Sequence, residues 1–209
     1  MDNEKAARLY GSLMKEVKYR IEAIDHLLAK RVPLRNKICE ELCYLQLRMI
    51  CEVMALACLV IHGDVKGAQG SQIQKAYQAD WIMRTLAELH PNFYPKPLRA
   101  QDEPAAEPGG LPSVISLTEG FLTQAEHVRL YQICGDKLHR GRAKNLMKGA
   151  DAPNYTAVKA WRDKIVGLLN RHAIALIDGR NECWFIMHDA RNGEVAWNIM
   201  QRVDEARPS

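Results

Sequence analysis

With 209 residues, 47% of them hydrophobic and 26% charged, the chain has enough apolar material for a sizeable core, which excludes a disordered protein. The net charge of +4 permits a nucleic-acid partner without demanding one. Six cysteines, four of them in one apolar helical stretch, read as reduced core thiols rather than a disulfide framework, and the opening MDNEKAARLY lacks the apolar run of a signal peptide, so the cytoplasm is the expected compartment.

Tyr10, Met14, Val17, Ile21, Ile24 and Leu28 recur at spacings of three and four, one stripe on a long first helix over residues 3–30. Val32-Pro33 breaks it, and Pro33 suits the first turn of a second helix over 34–62. The stripe expected to face inward there is Ile38, Leu42, Leu45, Met49, Val53, Leu56 and Val60. From Leu47 onward the other faces are apolar too, which predicts that this helix occupies the middle of a bundle. Residues 42–61 are long enough to span a bilayer, but Gln46, Arg48 and Glu52 interrupt them, and no membrane partner is expected.

A capping box at Ser71 and Gln74 predicts a third helix with Ala76, Ala79, Met83 and Leu86 inside, ended by His90-Pro91. Residues 91–113 hold six of the nine prolines and predict an extended segment followed by a loop, with a short strand at 114–117 after it. Thr123 and Glu126 form a second capping box and open a helix to about Leu138, with Tyr131, Cys134 and Leu138 buried. A fifth helix over 154–171 places Tyr155, Val158, Trp161, Ile165 and Leu168 inside.

The period then becomes two. Residues 173–177, 183–188 and 195–200 read as three strands, with hairpin signals at Asp178-Gly179 and Asn192-Gly193. The expected fold is mainly α with α+β character: a bundle of about five helices over 1–171, including the proline-rich loop at 91–113, and a three-stranded antiparallel meander over 172–209 packed on it. Cys183, Phe185 and Met187 share one face of the middle strand, Trp184, Ile186 and His188 the other. One face should therefore meet helices and the other a partner chain or a second copy.

Charge concentrates in LYQICGDKLHRGRAKNLMK, residues 130–148. Lys137, Arg140, Arg142, Lys144 and Lys148 surround His139 with only Asp136 opposing them, a pattern suited to RNA or DNA phosphates. Its plainer reading is a solvated helix end that complements the helix dipole. Cys39 and Cys43 share a helical face but lack a second ligand pair, so no metal and no cofactor are expected. Arg48 and Glu52 have the spacing of an internal ion pair, and Trp184 and Trp197 read as packed sheet before they read as stacking platforms for bases. Gly-rich phosphate loops, GxSxG, HExxH and paired CxxC motifs are absent.

Tyr131, Cys134 and His139, on a helix ending Leu-His-Arg-Gly, together with the bundle outline of residues 3–171, resemble the HEPN-like helical-bundle proteins of bacterial defence and toxin systems. The resemblance implies a dimeric, metal-independent endoribonuclease whose arginine precedes its histidine by four to six positions, with His139 the candidate catalytic residue. Arg129 lies ten positions before His139, outside that spacing. Arg20–His26 and Arg84–His90 satisfy it, but Ile21 and Thr85 stand where the family carries Asn, His or Asp, and two such pairs are what chance supplies in this composition. The leading expectation is a non-catalytic binding protein with nucleic acid, another protein or its own second copy as partner; the alternative is the HEPN-like ribonuclease.

Overall fold

The computed structural model describes residues 2–63, 78–100, 114–139, 152–176 and 180–201. In chain order these form α1 (Asn3–Leu28), α2 (Asn36–Ile61), α3 (Ala79–Leu89), β1 (Lys96–Ala100), β2 (Val114–Ser116), α4 (Gln124–Leu138), α5 (Tyr155–Leu169), β3 (Arg171–Ala175), β4 (Asn181–Ile186) and β5 (Ala196–Gln201). The capping box at Ser71 and Gln74, Ala76 and the Asp178-Gly179 turn lie outside the described residues.

α1 starts where the Asp2 carboxylate accepts the Glu4 N–H at 3.3 Å. Its stripe is buried as its spacing predicts, from Tyr10 and Met14 to Ile24, with Leu27 deeper than Leu28 at the end. α2 is the central element, packed against α1, α3, α4 and α5. Among the described residues it is also the one helix long and apolar enough to cross a membrane, yet 61% of its most apolar window is buried within the fold.

The face α2 turns inward differs from the expectation. Ile38, Leu45 and Leu56 of the predicted stripe are 43%, 39% and 38% exposed, while Cys39, Cys43, Leu47, Ile50, Met54 and Cys58 are buried. A helix that is apolar on all sides carries no periodic signal to choose a face. The narrower cysteine and alanine side chains let four neighbouring helices approach, so close packing selects that side.

α4 opens on the expected capping box, with Glu126 N–H donating to Thr123 Oγ1 and Thr123 N–H donating to the Glu126 carboxylate. α5 is capped by Asn154 Oδ1, which accepts from Ala157 N–H at 2.9 Å. At Gly167 a Cβ would stand 2.2 Å from the Gly120 carbonyl oxygen. Glycine there lets the 120–122 turn lie directly on α5, where Leu122 N–H donates to Lys164 O at 2.9 Å.

The sheet has five antiparallel strands in the order β2-β1-β3-β4-β5, not three. The meander β3–β4–β5 is present, but the proline-rich segment supplies β1 beside it. The prolines of this segment predict extended chain and then a loop, and Pro97 falls within β1. In the sheet its carbonyl accepts from Leu117 N–H at 3.2 Å, so its hydrogen-bonding side faces β2 where that strand runs out. The missing donor therefore takes nothing from the β1–β3 ladder.

Cys183 and Phe185 point inward from β4 beside His172 and Ile174 of β3, and Tyr10 of α1 packs on Phe185 at 4.3 Å between ring centroids. On the opposite face Trp184, Ile186, Ala196 and Met200 line a shallow, half-exposed hollow of about 70 Å³.

Candidate nucleic-acid interface

α4 ends at His139, which is exposed and whose N–H closes the last turn on Gly135 O at 3.0 Å. Two residues earlier, Lys137 places its ammonium 5.7 Å from the centroid of the Tyr44 ring on α2. Arg140, Arg142, Lys144 and Lys148 lie outside the described residues. The chain is described again from residue 152, and it returns to the same part of α2. Asn154 N–H donates to Glu40 Oε1 at 2.9 Å, and Tyr155 Oη donates to Asn36 O at 2.6 Å.

Glu40 is the anchor. It is only 1% exposed, and Lys37 Nζ binds its second oxygen at 2.7 Å. Burial alone would raise its pKa, but the Asn154 N–H and Lys37 outweigh burial and hold the carboxyl below its ordinary range. The charge is thus ionised and fully engaged inside.

Residues 28–37, the α1–α2 turn, sit at this same end and carry Lys30, Arg31, Arg35 and Lys37 with no acid. Lys30 takes a left-handed backbone (φ 54°), and Arg31 and Arg35 are exposed. Lys137, at the exit of α4, and the acid-free basic turn 28–37 thus both lie at the N-terminal half of α2. The cluster at 137–148 is legible in the sequence, and so is the turn, as KRVPLRNK, but only folding brings Lys137 to the same helix.

From this end a groove runs along α1 and α5. Its wider part, about 600 Å³ and open, lies beside Leu28, Ala29, Tyr155 and Lys159. Arg162 crosses the groove and pairs with both Asp25 oxygens at 2.8 and 2.6 Å, and with Asp163 at 3.2 Å. Beyond this bridge is a cavity of about 180 Å³ floored by Ile21, Val166, Leu169 and Met187, with Lys18, Glu22, Asn170 and His188 at its rim. The turn carrying His188 is fixed: Gly193 N–H donates to Asp189 O at 2.7 Å, Lys15 pairs with Glu194 at 2.8 Å, and Lys18 donates to Gly193 O. Gly193, with φ +72°, makes that turn. No sequence signal reveals the groove, because Asp25 and Arg162 lie 137 positions apart.

The interior histidines are occupied by structure. His172 Nδ1 donates to Leu169 O at 2.9 Å, which leaves Nε2 to accept from Tyr10 Oη at 2.9 Å. His127 Nε2 donates to Cys51 O at 3.0 Å, and its Nδ1 is buried with no partner among the described residues. Burial pushes the pKa of both rings down to about 4. His62 and His90 meet at the Ala175 carbonyl, at 3.2 and 3.4 Å.

The two arginine–histidine pairs with HEPN-like spacing engage separate partners. Arg20 binds Glu16 and Gln46, whereas His26 Nδ1 contacts Glu22 O; Arg84 binds Asp80, whereas His90 faces Ala175. Arg48 and Glu52 do pair, at 3.1 Å, and Arg48 also donates to Tyr131 Oη at 2.8 Å, so the expected ion pair ties α2 to α4. Trp197 packs on Gly11 of α1 and Trp184 lies on the opposite sheet face, so the two rings do not form one platform. Among the described residues no group of His, Cys, Asp or Glu is arranged to hold a metal ion. Compared with known proteins, the chain matches no family model, and neither a curated protein nor a solved structure is significantly similar to it.

Proposed function

We propose that the protein is a non-catalytic module that binds single-stranded nucleic acid through its phosphates, at the end of the bundle where the α1–α2 turn meets the exit from α4. One observation supports this: Lys137, where the basic cluster of residues 137–148 begins, stands over Tyr44 in the N-terminal half of α2, the end of that helix at which the acid-free turn carries Lys30, Arg31, Arg35 and Lys37. Glu40, at this end of α2, is buried and already neutralised by Lys37. α2 begins at this end without a side-chain cap, so its positive dipole end adds to the field.

The test is fluorescence anisotropy with a labelled single-stranded RNA across a salt series. Each phosphate neutralised should contribute about −0.7 to the slope of log K against log salt. Arg31→Glu/Arg35→Glu and Arg140→Glu/Arg142→Glu should each weaken binding and flatten that slope while the thermal transition stays in place. Absence of RNA binding at low salt removes the proposal. Cleavage of the probe that disappears in His139→Ala would replace it with the endoribonuclease alternative.

A further inference from the structure

We propose that the 180 Å³ cavity between α1, α5 and the end of β4 is a base pocket that selects guanine, an inference that deepens the function above and rests on it. A cavity of about 150 Å³ accepts a benzene-sized ring, so this one, open at its mouth, admits a flat heterocycle on its floor of Ile21, Val166, Leu169 and Met187.

The rim decides which heterocycle. Its two cations are engaged: Arg162 by Asp25 and Asp163, Lys18 by the Gly193 carbonyl. An anionic head group therefore finds no vacant cation among the described residues there. The rim groups without a hydrogen bond or ion pair among the described residues are the Glu22 carboxylate and the side chains of Asn170 and His188. A carboxylate only accepts, and it is best satisfied by two adjacent donors. Guanine presents a ring N–H beside an amino group, which matches it. Uracil sets carbonyls on both sides of its N–H and is repelled. The His188 imidazole supplies a stacking face at the mouth, as histidine does in single-strand recognition.

The cavity is also placed for a strand. It continues past the Asp25–Arg162 bridge into the open groove, which ends beside Tyr155 and Lys159, next to the basic end of the bundle. A chain whose phosphates lie there has a path for one extruded base into the pocket.

Neutral nucleosides isolate the pocket from the phosphate interface. Calorimetry of the full chain with guanosine and with uridine should show saturable guanosine binding and uridine at least about tenfold weaker, the scale of a hydrogen bond to a charged group. Glu22→Gln, an exposed substitution, should lower guanosine affinity about tenfold and erase the preference without moving Tm. No saturable guanosine binding, or equal binding by Glu22→Gln, overturns the pocket. RNA binding with its salt slope intact in that case leaves the phosphate interface standing. Guanosine binding without RNA binding removes the strand and keeps a nucleoside site.

Discussion

Lowering the pH from 7.5 to 5 should destabilise the fold while most carboxylates are still ionised. His127 and His172 are fully buried, and burial holds each ring's pKa down to about 4. In the unfolded chain the same rings take a proton near 6.5. Between those values the unfolded state binds a proton that the fold refuses, so stability falls as the pH drops from about 6.5 to about 4 and loses nothing further to these rings below that. At pH 5 the loss is ~2 kcal/mol for each ring, or about 4 kcal/mol for the pair, a large share of the 5–15 kcal/mol that holds a typical domain. His62 is also held low by burial and adds to the loss with the same sign. The carboxylates act in a different window. Asp189, held down to about 2 by Arg191, and Glu126, held low by Lys164, begin to give up their contribution only as the pH falls through the ordinary carboxylate range near 4, and lose the rest below it. Urea unfolding at pH 7.5, 6 and 5 measures the effect as a falling midpoint at constant m. Imidazole proton shifts in the native protein read the two rings directly. A flat unfolding free energy between pH 7.5 and 5, or native His127 and His172 signals that titrate near 6.5, would refute the reasoning.

Gly167→Ala should destabilise by about 1–3 kcal/mol through the clash with the Gly120 carbonyl, lowering Tm by several degrees, whereas Gly193→Ala, with nothing within 4 Å of its Cβ, should cost only the ~1 kcal/mol of its left-handed backbone. All six cysteines are buried, and burial lifts Cys43 to about 11 and Cys58 and Cys134 to about 12; native protein should therefore resist a thiol reagent at pH 8, and rapid labelling of four or more would contradict the packing. Because unfolded thiols ionise near 8.5 and these do not, stability should also decline above that pH, placing the optimum between about 6.5 and 8.5. Removing residues 173–209 should cause aggregation, since it uncovers Tyr10 and takes from β1 its β3 partner; a soluble, cooperative monomer on analytical ultracentrifugation would show that the remaining bundle is self-sufficient.

Local chemistry was readable wherever one residue type decides the backbone. The Thr123–Glu126 box, the stripe of α1 and the glycine of the β4–β5 turn are all where their spacing puts them. What escaped was set by partners distant in the chain. α2 is apolar on every side, so only the packed bundle reveals that cysteines face in and Ile38, Leu45 and Leu56 face out. The start of 91–113 was legible as extended chain but not as an interior strand, because prolines argue against one, and only the early end of β2 makes Pro97 harmless. For the candidate interface, Lys137 and His139 were legible as charge and exposure, but the seating of Lys137 on Tyr44, and of Asn154 on Glu40 across 114 positions, exists only in the packed bundle.

Tyr10 and His172 are 162 positions apart, and that separation shapes how the chain leaves the ribosome. At ordinary synthesis rates roughly 10 to 30 s pass between the two residues. The α1–α2 hairpin closes early through local contacts, but the side of α1 that carries Tyr10 and Gly11 packs on Phe185 and Trp197, which are made much later. During that interval a greasy strip of the first helix stays open to water. Slowing translation between these two regions lengthens the time for which that strip is exposed.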